Sequence, residues 1–152
     1  MEIIIVVVAI MVYGILVLYH GPWFKIKKQI MVQIQKNGLL HFTSEEQVQS
    51  IIDNGLYGKV SDMKGPEILL GKLVWTYYYD GEDSIERSHD FLKTKKKAKE
   101  NPNMYKVCLR LTGFCNEELK HLYTRIGFAG DTAIVFRGEH FKPQNIEVVK
   151  RW

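Results

Sequence analysis

Residues 39–56, LLHFTSEEQVQSIIDNGL, read as a strand, a capped helix and a glycine exit. Leu39, Leu40 and Phe42 make a short apolar run, as a buried strand requires. Thr43 offers its hydroxyl as an N-cap, and Glu46 three residues on completes a capping box. Glu45 and Glu46 put negative charge in the first turn, where the helix dipole favours it. Val48, Ile51 and Ile52 form the apolar stripe, and Asn54-Gly55 tolerates the positive φ that stops a helix. His41 then lies at a strand end beside the amides that open a helix, a setting that suits a polar or anionic ligand. A buried strand histidine beside an ordinary helix is the plainer alternative.

Working outward, residues 29–35 (QIMVQIQ) largely alternate in polarity, the pattern of a half-buried strand, and Lys36-Asn37-Gly38 reads as a hairpin turn. Residues 57–67 are polar and glycine-containing, hence a loop. Residues 68–79 (ILLGKLVWTYYY) are a strand after Gly71, with Leu73, Trp75, Tyr77 and Tyr79 on one face and Val74, Thr76 and Tyr78 on the other. A turn at 80–83 precedes a helix over 85–99, in which Ser88-His89-Asp90 is a polar face. That helix ends in a basic block, Lys93 to Lys99, which suits a solvated helix end, anionic lipid or nucleic acid. No aromatic residue interleaves with the block, which weakens the nucleic-acid reading. Residues 104–111 are a strand. Asn116 caps a helix whose stripe is Leu119, Leu122, Tyr123 and Ile126, and a turn at 127–130 follows. Residues 132–136 and 146–149 are strands, with a loop at 137–145 between them.

The first two dozen residues differ from the rest. From Ile3 to Phe24 there is no charge, and Lys25, Lys27 and Lys28 follow at once. At about 1.5 Å per residue a helix here reaches across a hydrocarbon core of about 30 Å. Tyr19, Trp23 and Phe24 are interfacial anchors. Glu2 at the start and Gly21-Pro22 at the end disfavour a cleaved signal peptide. The chain therefore divides into an anchor over 1–24 and a domain over 25–152, and the lysines place that domain in the cytoplasm. Cys108 and Cys115 form neither a disulfide framework nor a metal spacing, and the five histidines are scattered. No P-loop and no dinucleotide-binding glycine fingerprint is present. The expected fold is α+β, a mixed β-sheet core with about three helices, preceded by one transmembrane helix.

The segment His41-Phe42-Thr43-Ser44, followed by Ile51-Ile52 and Gly55-Leu56, resembles the opening motif of many bacterial ADP-ribosyltransferase-like domains, some of them toxins. The resemblance spans about eighteen residues and implies an NAD pocket. It gives His41 the nicotinamide-side ribose, with Thr43 and Gly55 in the same cofactor-binding segment. It implies an aromatic stacked on nicotinamide, and Val74-Trp75-Thr76-Tyr77 is similar to the family's strand in shuffled order, leaving Trp75 and Tyr77 as candidates. NAD would be the substrate, and ADP-ribose would pass to a macromolecular target. Transfer through an oxocarbenium-like ribose needs a fixed carboxylate, and the family places one near a late strand. Asp131 and Glu139 are the candidates, with Glu147 a third. None stands in the family's acidic motif, so a non-enzymatic interaction, immunity or regulatory module on the same scaffold is the alternative.

Overall fold

The computed structural model describes residues 2–20, 23–60, 71–126 and 132–152. Its helices are α1 (Glu2–His20), α2 (Lys28–Asn37), α3 (Glu45–Asn54), α4 (Glu82–Lys93), α5 (Lys96–Glu100) and α6 (Asn116–Lys120). Its strands are β1 (Trp23–Lys25), β2 (Leu39–Thr43), β3 (Leu56–Tyr57), β4 (Lys59–Val60) and β5 (Lys72–Tyr78). These are followed by β6 (Val107–Thr112), β7 (Leu122–Ile126), β8 (Thr132–Arg137), β9 (His140–Phe141) and β10 (Asn145–Arg151). The main sheet runs β1-β7-β8-β5-β2-β6-β10, with β4 added beside β5, and β3 pairs with β9 separately.

The class is α+β, as expected, but every described strand pair is antiparallel, so the sheet is not mixed. β2 is buried at Leu39, Leu40, Phe42 and Thr43 because both its faces are covered. On one face Leu39 joins Val74, Leu109, Leu111, Ile134 and Phe136 in the main core, capped by Ile34 of α2 and by Val48 and Ile51 of α3. On the other, Leu40, Phe42 and Cys108 meet Ile85 and Leu92 of α4. The result is a sheet between two helical layers.

Five helices follow α1 among the described residues, rather than about three. Residues 29–35 are helical because Ile30, Met31 and Ile34 share one helical face, with Ile34 fully buried, while Val32 is 57% exposed. A strand would have buried Val32 with Ile30 and Ile34. The expected hairpin turn is instead the end of α2. Gly38, at φ 88°, donates its N–H to the Ile34 carbonyl at 2.8 Å. An added Cβ there would lie 2.5 Å from the Leu111 carbonyl oxygen, so Gly38 is also needed for close packing on β6. The helix expected over 85–99 starts earlier, at Glu82, and is interrupted at Thr94 and Lys95. Cys115, not Asn116, is the N-cap of α6, which lasts five residues. Leu122, Tyr123 and Ile126 belong instead to β7, between β1 and β8. The 137–145 loop contains β9, whose Phe141 is fully buried and stacked 4.4 Å from Phe136. The turn at 127–130, Asp131, and residues 61–70 lie outside the described residues.

The sheet begins at Trp23, two residues before the expected domain boundary. Every large apolar side chain from Ile3 to Tyr13 in α1 is exposed, between 48% and 79%. Among the described residues no helix is long and apolar enough to cross a membrane. The fold therefore does not by itself supply the expected transmembrane helix.

Because Ile34 alone in α2 is fully enclosed, Ile34→Ala should cost about 2–5 kcal/mol of unfolding free energy. Val32→Ala, on the exposed face, should change it by about 0.5 kcal/mol or less. Denaturant titration of both variants checks this. Equal effects would mean that α2 is not docked through Ile34.

Candidate ligand-binding site

One strand carries the site. Along one edge β5 pairs with β8 from Leu73↔Arg137 to Tyr77↔Ala133. Its other edge is shared: β2 pairs with Tyr77 and Tyr78, and β4 pairs with Lys72 and Leu73. Val74, Trp75 and Thr76 lie between, and among the described residues no strand pairs with them on this edge over about 10 Å, at about 3.3 Å per residue. β2 does not end at the gap, since it stays paired with β6 through His41, Phe42 and Thr43. The two strands part company, and the sheet is notched.

His41 fills part of that notch. Its Nδ1 lies 2.9 Å from the backbone oxygen of Trp75. A carbonyl oxygen only accepts, so Nδ1 is the protonated nitrogen and donates the bond. The neutral ring then carries a lone pair on Nε2, to which no described residue donates a hydrogen bond. Burial lowers the His41 pKa to about 4; the bond to the Trp75 carbonyl opposes that shift, and Lys59 on β4 adds to it. At neutral pH His41 is thus an uncharged acceptor, suited to a ligand hydroxyl. Lys59 lies on the strand at the other end of the gap and was hidden by the loop-like composition of 57–67. Only the pairing of its short strand with Leu73 brings it here.

The other residues singled out from the sequence scatter around this notch. Thr43 is buried, and its hydroxyl donates to Gln47 Oε1 at 3.0 Å rather than capping α3. Ser44 is the N-cap, without a side-chain bond, so the expected Thr43–Glu46 capping box does not form. Gly55, at φ 81°, ends α3 as expected, about 15 Å of helix away from Thr43. A Cβ there would lie 2.9 Å from the Phe141 carbonyl oxygen, so the glycine serves approach to β9. Trp75 and Tyr77 pack with Leu73, Ala133 and Val135 on one sheet face. His41, opposite Leu109, belongs to the other face, so the aromatic candidates and the histidine meet only through the Trp75 backbone.

The carboxylates are not gathered at the notch either. Glu139 follows β8, its backbone oxygen accepts from the Gly58 N–H, Lys72 Nζ lies 2.9 Å from its Oε1, and its side chain is 82% exposed. The hydrogen bond from Lys72 holds the Glu139 carboxyl below its usual range. Glu147 is exposed on β10, opposite Arg110. Asp131 lies outside the described residues. Among the described residues no group of acidic, histidine or cysteine side chains is placed to hold a metal. Cys108 is buried and its thiol is pushed up to about 12 by burial, which removes it as a nucleophile. Ser88-His89-Asp90 is not a uniformly polar face: His89 is buried, its ring stacked 3.6 Å from Trp152. Burial and the nearby Lys93 lower its pKa.

Compared with protein-family models, curated proteins and solved structures, the chain matches none.

The lowered His41 pKa makes stability depend on acid. Above pH 6.5 the ring is neutral in folded and unfolded chains and contributes nothing to the pH dependence. As pH falls from 6.5 towards 4, the unfolded chain takes up a proton that the folded ring refuses. Stability should therefore fall by up to about 3 kcal/mol over that window. His41→Gln should remove this part of the slope, while the separate contribution of His89 persists. Urea titrations of both proteins at pH 4 to 7 check it, and identical slopes would contradict the assignment.

Proposed function

We propose that the chain is a membrane-anchored ADP-ribosyltransferase-like domain that binds NAD in the notch between β2 and β5. The observation that carries this reading is the departure of β2 from β5 after Leu40↔Tyr77, with His41 bonded to the Trp75 carbonyl. A neutral His41 with Nε2 as acceptor suits a ribose hydroxyl, the role that the His41-Phe42-Thr43-Ser44 motif implies. Lys59 beside the gap favours a ligand with negative charge, as the NAD diphosphate has. Thr43 and Gly55 act in this reading through the backbone of β2 and α3, since neither offers a free side-chain group. Trp75 or Tyr77 stacks on nicotinamide only if the ligand reaches round β5 to the second face.

A second reading has specific support. Glu139 is tied to Lys72, which favours a domain that binds NAD without transferring ADP-ribose, as an interaction or regulatory module would. Asp131 remains the other candidate acid for transfer to a macromolecular target. The anchor rests on α1, whose exposed apolar side chains surround the helix. Lys25, Lys27 and Lys28 follow α1 and put the domain on the cytoplasmic side.

The test uses the full chain. It should sediment with membranes and need detergent for release; recovery in the soluble fraction without detergent would contradict the anchor. In detergent, NAD at a hundred times its dissociation constant should add about 2.7 kcal/mol of stability, read as a rise in melting temperature. His41→Ala should abolish the rise. Nicotinamide release would identify transfer or hydrolysis, and its absence alongside binding would favour the second reading. A folded chain that shows no shift at millimolar NAD would remove both.

A further inference from the structure

Three rings close the layer between β2 and α4. His89 of α4 is 5% exposed, and its ring lies 3.6 Å from that of Trp152, with 19° between their planes. Phe42 of β2 stacks 6.1 Å from His89 and 6.0 Å from Trp152. The Trp152 N–H donates to the Lys106 carbonyl at 2.9 Å, and Lys150 pairs with Glu86 of α4, so the end of β10 is held over this stack. Among the described residues, His89 Nδ1 is the one buried side-chain nitrogen or oxygen without a hydrogen-bond partner. A neutral imidazole can leave a lone pair there, whereas a protonated one donates from both nitrogens. The Tyr105 backbone favours a charged ring, but one carbonyl does not serve both.

The groups around the ring offer no second acceptor. Asp90 favours a charged His89 but is bound to Lys93 at 2.7 Å, and Glu86 is bound to Lys150. Lys93 and Lys106 oppose the charge. Burial keeps the Cys108 thiol and the Tyr79 and Tyr105 hydroxyls neutral, and Leu40, Phe42, Ile85 and Leu92 complete the cluster.

We propose that the His89–Trp152 stack is an acid-sensitive latch, in which protonation of His89 frees Trp152 and the end of β10 from α4. A protonated ring in this place carries a buried charge and an Nδ1–H without an acceptor, and both costs are relieved when it turns into water. Trp152 is half-buried at the end of β10 and can give way, whereas Phe42 is fixed in β2 by its pairing with Cys108. An indole face attracts a cation, but Trp152 already has Lys150 Nζ 5.4 Å from its ring centroid. Burial first, then Lys93, lowers the His89 pKa, so the latch opens below pH 6.5. It does not depend on NAD.

Fluorine NMR of the full chain, labelled with 5-fluorotryptophan in zwitterionic detergent and followed from pH 7.5 to 4.5, tests it. Trp152→Phe assigns the resonance. The Trp152 signal should move towards that of a solvent-exposed indole with a midpoint below pH 6.5, and its solvent isotope shift should grow in step. Trp75 should keep its folded position, which separates latch opening from unfolding. His89→Phe keeps a ring in the stack but takes no proton, so Trp152 should become insensitive to pH. Lys93→Gln, at a side chain 57% exposed, should raise the midpoint. The latch is excluded if Trp152 does not move, if its response survives in His89→Phe, if Lys93→Gln leaves or lowers the midpoint, or if Trp75 moves with Trp152. If His89→Phe does not fold, nitrogen-15 titration of the His89 ring decides. A ring midpoint that coincides with that of Trp152 supports the latch, and a ring that titrates while Trp152 stays in place overturns it.

Discussion

The edge of β5 imposes the constraint on which the site depends. A strand edge presents N–H and C=O groups that need partners, and a gap in the ladder leaves them to side chains or ligands. Here two different strands, β2 and β4, divide that edge and leave Val74 to Thr76 between them. The His41 ring satisfies the Trp75 carbonyl, and this one bond fixes the tautomer and orientation of the ring. Around the gap the sheet is held firmly. Thr76 donates its hydroxyl to the Ile134 carbonyl at 2.5 Å, and β2 is zipped to β6 by five register pairs.

The same strand separates two chemical environments. On the notch edge, burial keeps His41 neutral at ordinary pH and makes it an acceptor. Beyond the other edge, Lys72, Arg137 and Glu139 are charged and open to solvent. Glu139 is held there by Lys72, and its backbone oxygen accepts from the Gly58 N–H, next to Lys59.

Much of the centre of the fold is legible in the chain. The β2–α3 unit is readable because its apolar spacing and the Asn54-Gly55 exit agree with one another at every level. The strand reading of residues 72–78 survives because the run is rich in branched and aromatic residues, with Leu73, Val74 and Thr76 buried and Trp75, Tyr77 and Tyr78 half-buried. The failures have physical causes. QIMVQIQ satisfies both a period of two and the i, i+1, i+4 spacing of Ile30, Met31 and Ile34, and packing on β6 chose the helix. Leu122 to Ile126 continues a helical stripe from Leu119, but the open edges of β1 and β8 capture it as a strand. His41 was identifiable from its motif. Its partner was not, because the partner is a backbone carbonyl 34 residues away. Lys59 was missed because a strand of two residues leaves too short a pattern to recognise.

The measurement that bears most directly on this account is the nitrogen spectrum of the His41 ring. Nitrogen-15 correlation spectra of imidazole-labelled protein, assigned by comparison with His41→Gln, report which ring nitrogen carries the proton and where the ring titrates. The account predicts that at pH 7 Nδ1 is protonated and Nε2 is not, with titration near pH 4. It also predicts that occupation of the notch perturbs Nε2 more than Nδ1. A ring protonated on Nε2, or one that titrates near the ordinary value of 6.5, would contradict it.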